Sequence, residues 1–248
     1  MPAAGKKGPQ PMTDEATHYA IYRHEKVKDL GELKSRSSHN ARTSDRGLEH
    51  IDTTRPATLL QGNDDAVEEW HAKAQAAGID KAKLRKNAVV AIEAIATTSP
   101  GWWDTATSQE KAEWQERSVA FLIEKAGGKD NILSIHLHED ETTPHIQALS
   151  IPITTKEMGA RGRPKKGAEA KPARTQTVLS ATHFVGGHRD KMKDWQTEYA
   201  ASVAHLGLAR GIPKKETGAR NMPPAKWRAA MAQQLDLQQE ATAEAQTA

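Results

Sequence analysis

The sequence predicts an α+β domain built on a central antiparallel β-sheet flanked by helices, and three observations carry that reading. Strand-like runs, alternating or rich in β-branched residues, recur at 18–27, 87–96, 131–138 and 145–153. The last two are separated only by Glu139 to Pro144, which makes them a hairpin and sets one antiparallel pair. Helical periodicity occupies 65–77, 108–126 and 187–205, so the order is strand, helix, strand, helix, hairpin, helix rather than a strict βαβ alternation. A chain of 248 residues with 37% hydrophobic content can build one sizeable core but falls short of two, so a single domain over 17–220 is expected.

Taken in order, residues 1–16 are rich in Pro, Gly and Ala without periodicity and read as a disordered arm. His18 to Val27 is the first strand, followed by a polar segment from Asp29 to Arg55 that contains Ser38-His-Asn-Ala-Arg42 and ends near Pro56. A helix runs from Asp65 to Ala77 and is closed by Gly78, and Asn87 to Ala96 is a buried strand before a break over Thr97 to Gly101. Ser108 opens a second helix with Glu110 in its first turn, stopped by Gly127-Gly128. After the hairpin comes a flexible basic loop, 154–174, which carries Lys156, Arg161, Arg163, Lys165, Lys166, Lys171 and Arg174 among Gly, Ala and Pro. A third helix with Trp195 on its apolar side precedes a loop over 207–220, and 221–248 is a low-complexity, helix-compatible tail.

The net charge of +3 is modest, but the basic residues are unevenly placed and the pI is about 9.0, which favours a polyanionic partner, nucleic acid first. The absence of cysteine excludes disulfides, thiolate catalysis, zinc fingers and iron–sulfur clusters. No apolar run has the length of a membrane span or the core of a signal peptide, so a cytoplasmic protein without membrane insertion is expected. The chemistry concentrates in the hairpin. With the loop at Glu139 to Pro144, His138 faces His145 and His136 faces Gln147, and all four side chains share one face of the sheet. Opposed side chains on paired strands have Cβ atoms ~5 Å apart, which lets two imidazoles reach one cation, with Glu141 approaching from the loop. Nitrogen and oxygen ligands without thiolate suit Mn²⁺, Mg²⁺ or Zn²⁺. A mobile basic loop beside such a site is placed to grip phosphates through Arg161, Arg163, Lys165 and Lys166.

Three separated segments resemble the plasmid mobilisation and recombination (Mob/Pre) relaxases of the histidine–hydrophobic–histidine endonuclease superfamily. They are Tyr19-Ala-Ile-Tyr-Arg with Leu30-Gly-Glu-Leu and His39-Asn-Ala-Arg42; His138-Glu-Asp-Glu-Thr-Thr-Pro-His145; and Leu179-Ser-Ala-Thr-His-Phe-Val-Gly-Gly187 with Gln196 and Leu206-Gly-Leu-Ala-Arg-Gly211. The resemblance covers roughly 18–220. It implies an antiparallel sheet flanked by helices and an activity that cuts one DNA strand at a plasmid transfer origin, with single-stranded or hairpin origin DNA as substrate and other mobilisation or type IV coupling proteins as partners. It also implies His39 as the nucleophile, Glu141 at the active centre orienting it, Asn40 and Arg42 on the phosphate, and His138 and His145 as ligands of Mn²⁺ or Mg²⁺. One departure stands out: the family's second histidine, two residues beyond His145, is Gln147 here. A glutamine carbonyl can still ligate a hard cation, and His136 is the substitute offered by hairpin register.

The implied chemistry is transesterification, which needs an in-line nucleophile, neutralised phosphoryl oxygens and a stabilised leaving 3′-oxygen. A neutral imidazole serves because its unperturbed pKa is ~6.5, and the 5′-phosphoryl-histidine product keeps the bond energy for rejoining. Two alternatives remain open at this point. One is a rolling-circle replication initiator attacking through Tyr19 or Tyr22, and the other a degenerate member that only binds DNA.

Overall fold

The computed structural model describes residues 18–44, 51–55, 57–158, 174–187 and 190–212. The expected arm over 1–16 and tail over 221–248 lie outside them, as do Arg161, Arg163, Lys165 and Lys166. The described elements up to Gly211 form one compact unit. Strand β1 spans His18–Val27, β2 Thr58–Gly62, β3 Ala91–Thr98, β4 Ile132–His138, β5 His145–Ser150 and β8 Leu208–Arg210. They make a six-stranded sheet in the order β2-β4-β5-β3-β1-β8. Every neighbouring pair is antiparallel except β1 with β8, so the central antiparallel sheet is present as predicted. The hairpin register also matches: His138 faces His145 and His136 faces Gln147.

Helices cover both faces. On one face, α4 (Ser108–Ala126), α6 (Lys191–Ser202) and the short α3 (Pro100–Thr105) pack Trp102, Trp114, Phe121, Trp195 and Tyr199 against Tyr22, Ile135, Leu137 and Ile146. On the other, α1 (Leu30–Asn40) and α2 (Ala66–Ala76) pack Leu33, Ala66 and Trp70 against Val27, Leu133, Leu149 and Ile151. Strand alternation then assigns the polar residues. Ile146 and Ala148 point into the first layer, so His145 and Gln147 lie under α1 and α2. No helix among the described residues is long and apolar enough to cross a membrane.

Several elements differ from the sequence reading. The polar segment after β1 begins with α1, capped by Asp29, whose side chain accepts from Glu32 N. Its buried stripe, Leu33, Ser37 and Asn40, has helical spacing but only one apolar member, so periodicity did not reveal it. The break expected over Thr97 to Gly101 contains the end of β3 and the start of α3. The two ends of the expected basic loop are strands, β6 (Ile153–Met158) and β7 (Arg174–Leu179), paired in a separate antiparallel ribbon. The third helix, expected over 187–205, is the shorter α6, preceded by a short α5 (Ala181–Val185) that was not expected, and the following loop contains β8. By contrast α4 matches its expected start, with a complete Thr107–Glu110 capping box, and its expected stop, with Gly127 in the left-handed region. At the end of β2, Gly62 has φ +87°, and a Cβ there would stand 2.1 Å from the Leu133 carbonyl oxygen. Only glycine lets the chain turn this closely over β4 and bring Asp64 to the sheet face.

Candidate metal centre

Helix α1 ends over the β4–β5 hairpin, and the contacts between them define the site. His138 is fully buried, and its Nε2 lies 3.0 Å from the Asn40 carbonyl oxygen. A carbonyl can only accept, so Nε2 carries the proton and Nδ1 the lone pair. His145 is set the same way: its Nδ1 lies 3.1 Å from the Thr143 carbonyl oxygen, leaving Nε2 as the acceptor. Thr97 Oγ1 donates to the Pro144 carbonyl and holds the loop that presents this ring. The two lone-pair nitrogens, His138 Nδ1 and His145 Nε2, then face each other at 3.1 Å. Two acceptors at that distance need a positive charge between them. A proton is disfavoured on His138, because burial first, then His145 and Arg42, push its pKa down to about 3. A divalent cation fits instead, since two nitrogens bound at right angles ~2.1 Å from a metal are ~3.0 Å apart. Backbone carbonyls on the outer nitrogens orient both rings, as is usual for metal-ligating histidines.

Among the described His, Asp and Glu residues, His138, Glu141 and His145 bring ligand atoms within 4.8 Å of one another. His136 stays outside this group. Its ring is 1% exposed, and Nε2 lies 2.9 Å from Asp64 Oδ1. Gln147 Nε2 donates to Glu93 Oε1 at 2.6 Å, and Glu93 is ion-paired to Arg36.

His39 is the penultimate residue of α1. Its ring centroid lies 6.4 Å from that of His138, nearly perpendicular to it, and its side chain is 36% exposed against full burial of His138. Arg42 Nη1 donates to His39 Nε2 at 3.2 Å, and a guanidinium never accepts, so this contact keeps Nε2 unprotonated. Arg42 sits just beyond the helix end with φ 56°, a left-handed conformation usually taken by glycine after such a stop. Thr43 N bonds back to Ser38 O across it. Its five N–H donors are all engaged: two reach Asp140 at 2.7 and 2.8 Å, one reaches Glu141 Oε1 at 2.9 Å, and Nη1 serves the ring and carbonyl of His39. Burial pulls the Arg42 pKa down, but the hydrogen bonds and charges of Asp140 and Glu141 outweigh it and hold the pKa above its ordinary value. Burial likewise opposes the Asp140 carboxylate, and Arg42 holds its pKa below the usual range. Arg42 was expected on the phosphate, yet here it is turned inward, and a phosphate would have to displace one of these contacts. Asn40, also expected there, is fully buried; its carbonyl orients His138, and its carboxamide has no hydrogen-bond partner among the described residues.

The structure therefore gathers His39, Asn40, Arg42, His138, Glu141 and His145 in one place. It adds Asp140, Glu93, Arg36 and Asp64, which sequence reasoning did not assign. Tyr19 is half-buried on β1, while Tyr22 is 1% exposed in the aromatic core, and burial raises its pKa well above the ordinary value. Tyr199, held by Trp114 and Ser118 in the same core, is pushed up to about 12, burial being the main cause.

This fold is that of the relaxases. The MobM relaxase domain (MOBV; Mob_Pre), solved as an Mn-bound crystal structure with plasmid pMV158 oriT DNA, superposes with a TM-score of 0.63 at 21% identity, covering 86% of this chain and 99% of that one. The model of the plasmid recombination enzyme family (Mob_Pre) matches residues 16–227, and the chain belongs to that family. Relatives include a 65 kDa protein of Zymomonas mobilis, 32% identical over 196 residues and 79% of this chain. Another is a plasmid recombination enzyme type 3 of Staphylococcus aureus, 28% identical over 217 residues and 82% of this chain. The chain spans 30% and 46% of the length of these two relatives.

Proposed function

We propose that residues 17–220 form the relaxase domain of a plasmid mobilisation protein, which nicks one strand of a transfer origin and later rejoins it. The observation that carries the proposal is the pair of facing imidazole lone pairs, 3.1 Å apart, with the exposed His39 ring 6.4 Å from the inner one. His138, His145 and Glu141 would hold Mn²⁺ or Mg²⁺, with Gln147 beside them. When bound, the cation neutralises non-bridging phosphoryl oxygens and the charge developing on the leaving 3′-oxygen.

The chain's own residues do the rest. The lone pair on His39 Nε2, which accepts from Arg42 Nη1 until the phosphate draws that guanidinium N–H away, attacks the scissile phosphorus; a nitrogen–phosphorus bond forms as the bond to the 3′-oxygen breaks. The strand ends are then a 3′-hydroxyl and a 5′-phosphoryl on His39. Attack by a 3′-hydroxyl on that phosphorus reverses the step and frees the imidazole. Asp140 and Glu141 fix Arg42, and Arg42 fixes the His39 ring, so aim is set before DNA arrives. Arg161, Arg163, Lys165 and Lys166 supply phosphate contacts that hold the strand. Attack by Tyr22 is disfavoured, because Tyr22 is sequestered in the core.

The test is a supercoiled plasmid bearing the cognate origin, incubated with the protein and Mn²⁺ and run on a denaturing gel with and without protease. Wild type and Tyr22→Phe should give a nicked strand with a protease-sensitive adduct, and His39→Ala none. Absence of nick and adduct with every divalent cation would overturn the proposal.

A further inference from the structure

Resting on that metal reading, we infer that Glu93 and Arg36 are positioning residues that fix the Gln147 carboxamide. Its carbonyl oxygen then completes the cation shell begun by His138 and His145, in place of a third imidazole. Gln147 lies two residues along β5 from His145, on the same face of the sheet, and is 7% exposed. Its amide stands 2.6 Å from Glu93 Oε1. A carboxylate can only accept, so the NH₂ group must face Glu93 and the carbonyl oxygen is left for the other side. Flipping the amide would set an oxygen against a buried anion, which a site this dry does not tolerate.

Arg36 holds the Glu93 side chain in place through an ion pair. The carboxylate is 5% exposed, and Arg36 pairs with it while also reaching Glu32 and Glu25. Arg36 stands one turn before His39 on α1, so the helix that carries the nucleophile also sets the orientation of the amide. The rival for the third place, His136, has its Nε2 committed to Asp64 and lies outside the group whose ligand atoms converge. A shell with two imidazole nitrogens and added oxygens is harder than one with three imidazoles and favours Mn²⁺ and Mg²⁺ over Zn²⁺.

The experiment is Mn²⁺ titration of the full chain by calorimetry, with electron spin-echo spectroscopy to count coordinated histidine nitrogens and circular dichroism to check folding. Wild type should bind Mn²⁺ through two such nitrogens. Glu93→Ala and Gln147→Ala should each weaken binding by ~10–100-fold, the range for loss of an outer-shell partner. Since they act through one contact, the double variant should be no weaker than either. Glu93→Gln keeps the shape and covers the case in which alanine does not fold; it admits both amide orientations, so several-fold weaker binding is expected. Unchanged Mn²⁺ affinity in folded Glu93 variants, or three coordinated nitrogens in wild type, would overturn the inference while leaving the metal site standing. If wild type binds no Mn²⁺, the site itself falls, and the inference with it.

Discussion

Single side chains at this site are held by partners that can play only one chemical role. Carbonyls decide which nitrogens of His138 and His145 carry protons, a guanidinium decides the same for His39, and a carboxylate decides the amide of Gln147. His138 gives this a measurable pH signature. Its folded pKa, about 3, lies below the ordinary value of 6.5, so the unfolded chain binds the extra proton between those limits. The associated stability is complete above pH 6.5 and is lost as pH falls towards 3. His24, lowered to about 4 by burial and then by Lys26 and Lys191, acts in the same direction. Urea midpoints of metal-free protein should therefore fall steadily from pH 7 to pH 4.5, and His138→Gln should flatten that slope. Mn²⁺ at pH 7 should raise the midpoint, through a gain of ~2.7 kcal/mol in unfolding free energy at a hundredfold excess over Kd. The facing of His138 with His145 was legible in the sequence because a short hairpin of period two dictates its own register. Asp140, Glu93 and Asp64 were not, because their partners Arg42, Arg36 and His136 are 98, 57 and 72 residues away, and no local pattern encodes such pairs.

Among the elements, those with a strong apolar period or a complete cap were readable, as α4 and α2 were. Helix α1 was not, since the face it buries carries the polar Ser37 and Asn40 beside a single apolar residue, Leu33. The ribbon β6–β7 alternates without an apolar face, and β2 is an edge strand with Leu59 exposed and a register shift. Ser37 shows why a polar face suits α1. Its hydroxyl donates to Asp64 O at 2.8 Å and accepts from Ala66 N at 2.9 Å, so it ties α1 to the start of α2. Ser37→Ala should cost ~1–2 kcal/mol by leaving the buried Ala66 N–H unpaired and releasing the Asp64 carbonyl, and should also slow nicking, because α1 carries His39. Thr107→Ala, which removes the cap of α4, should cost a similar ~1 kcal/mol and leave the nicking rate per folded molecule unchanged. Equal effects of the two on nicking would argue against α1 as the aiming element.

For the molecule as a whole, the sheet supports the site on one face while the large aromatic core lies on the other, so stability and chemistry are largely separated. Binding of origin DNA should weaken as salt rises, with the slope set by the number of phosphates neutralised. Replacing Arg161, Arg163, Lys165 and Lys166 by alanine should reduce the log–log slope by about three, from ~0.7 per contact on a single strand; an unchanged slope would place the phosphate grip elsewhere. The parallel pairing of β1 with β8 has a consequence for how the chain is made. His18 pairs with Leu208, and Trp102 donates to the carbonyl of Leu206. On the ribosome, the His18 to Ala20 edge of β1 must wait for Leu208 to Arg210 before it is covered. At ~5–20 residues per second that interval lasts ~10–40 seconds. The nascent chain therefore carries an unpaired strand edge throughout that interval, a period in which chaperones that shield such edges would matter more than they do for the finished fold.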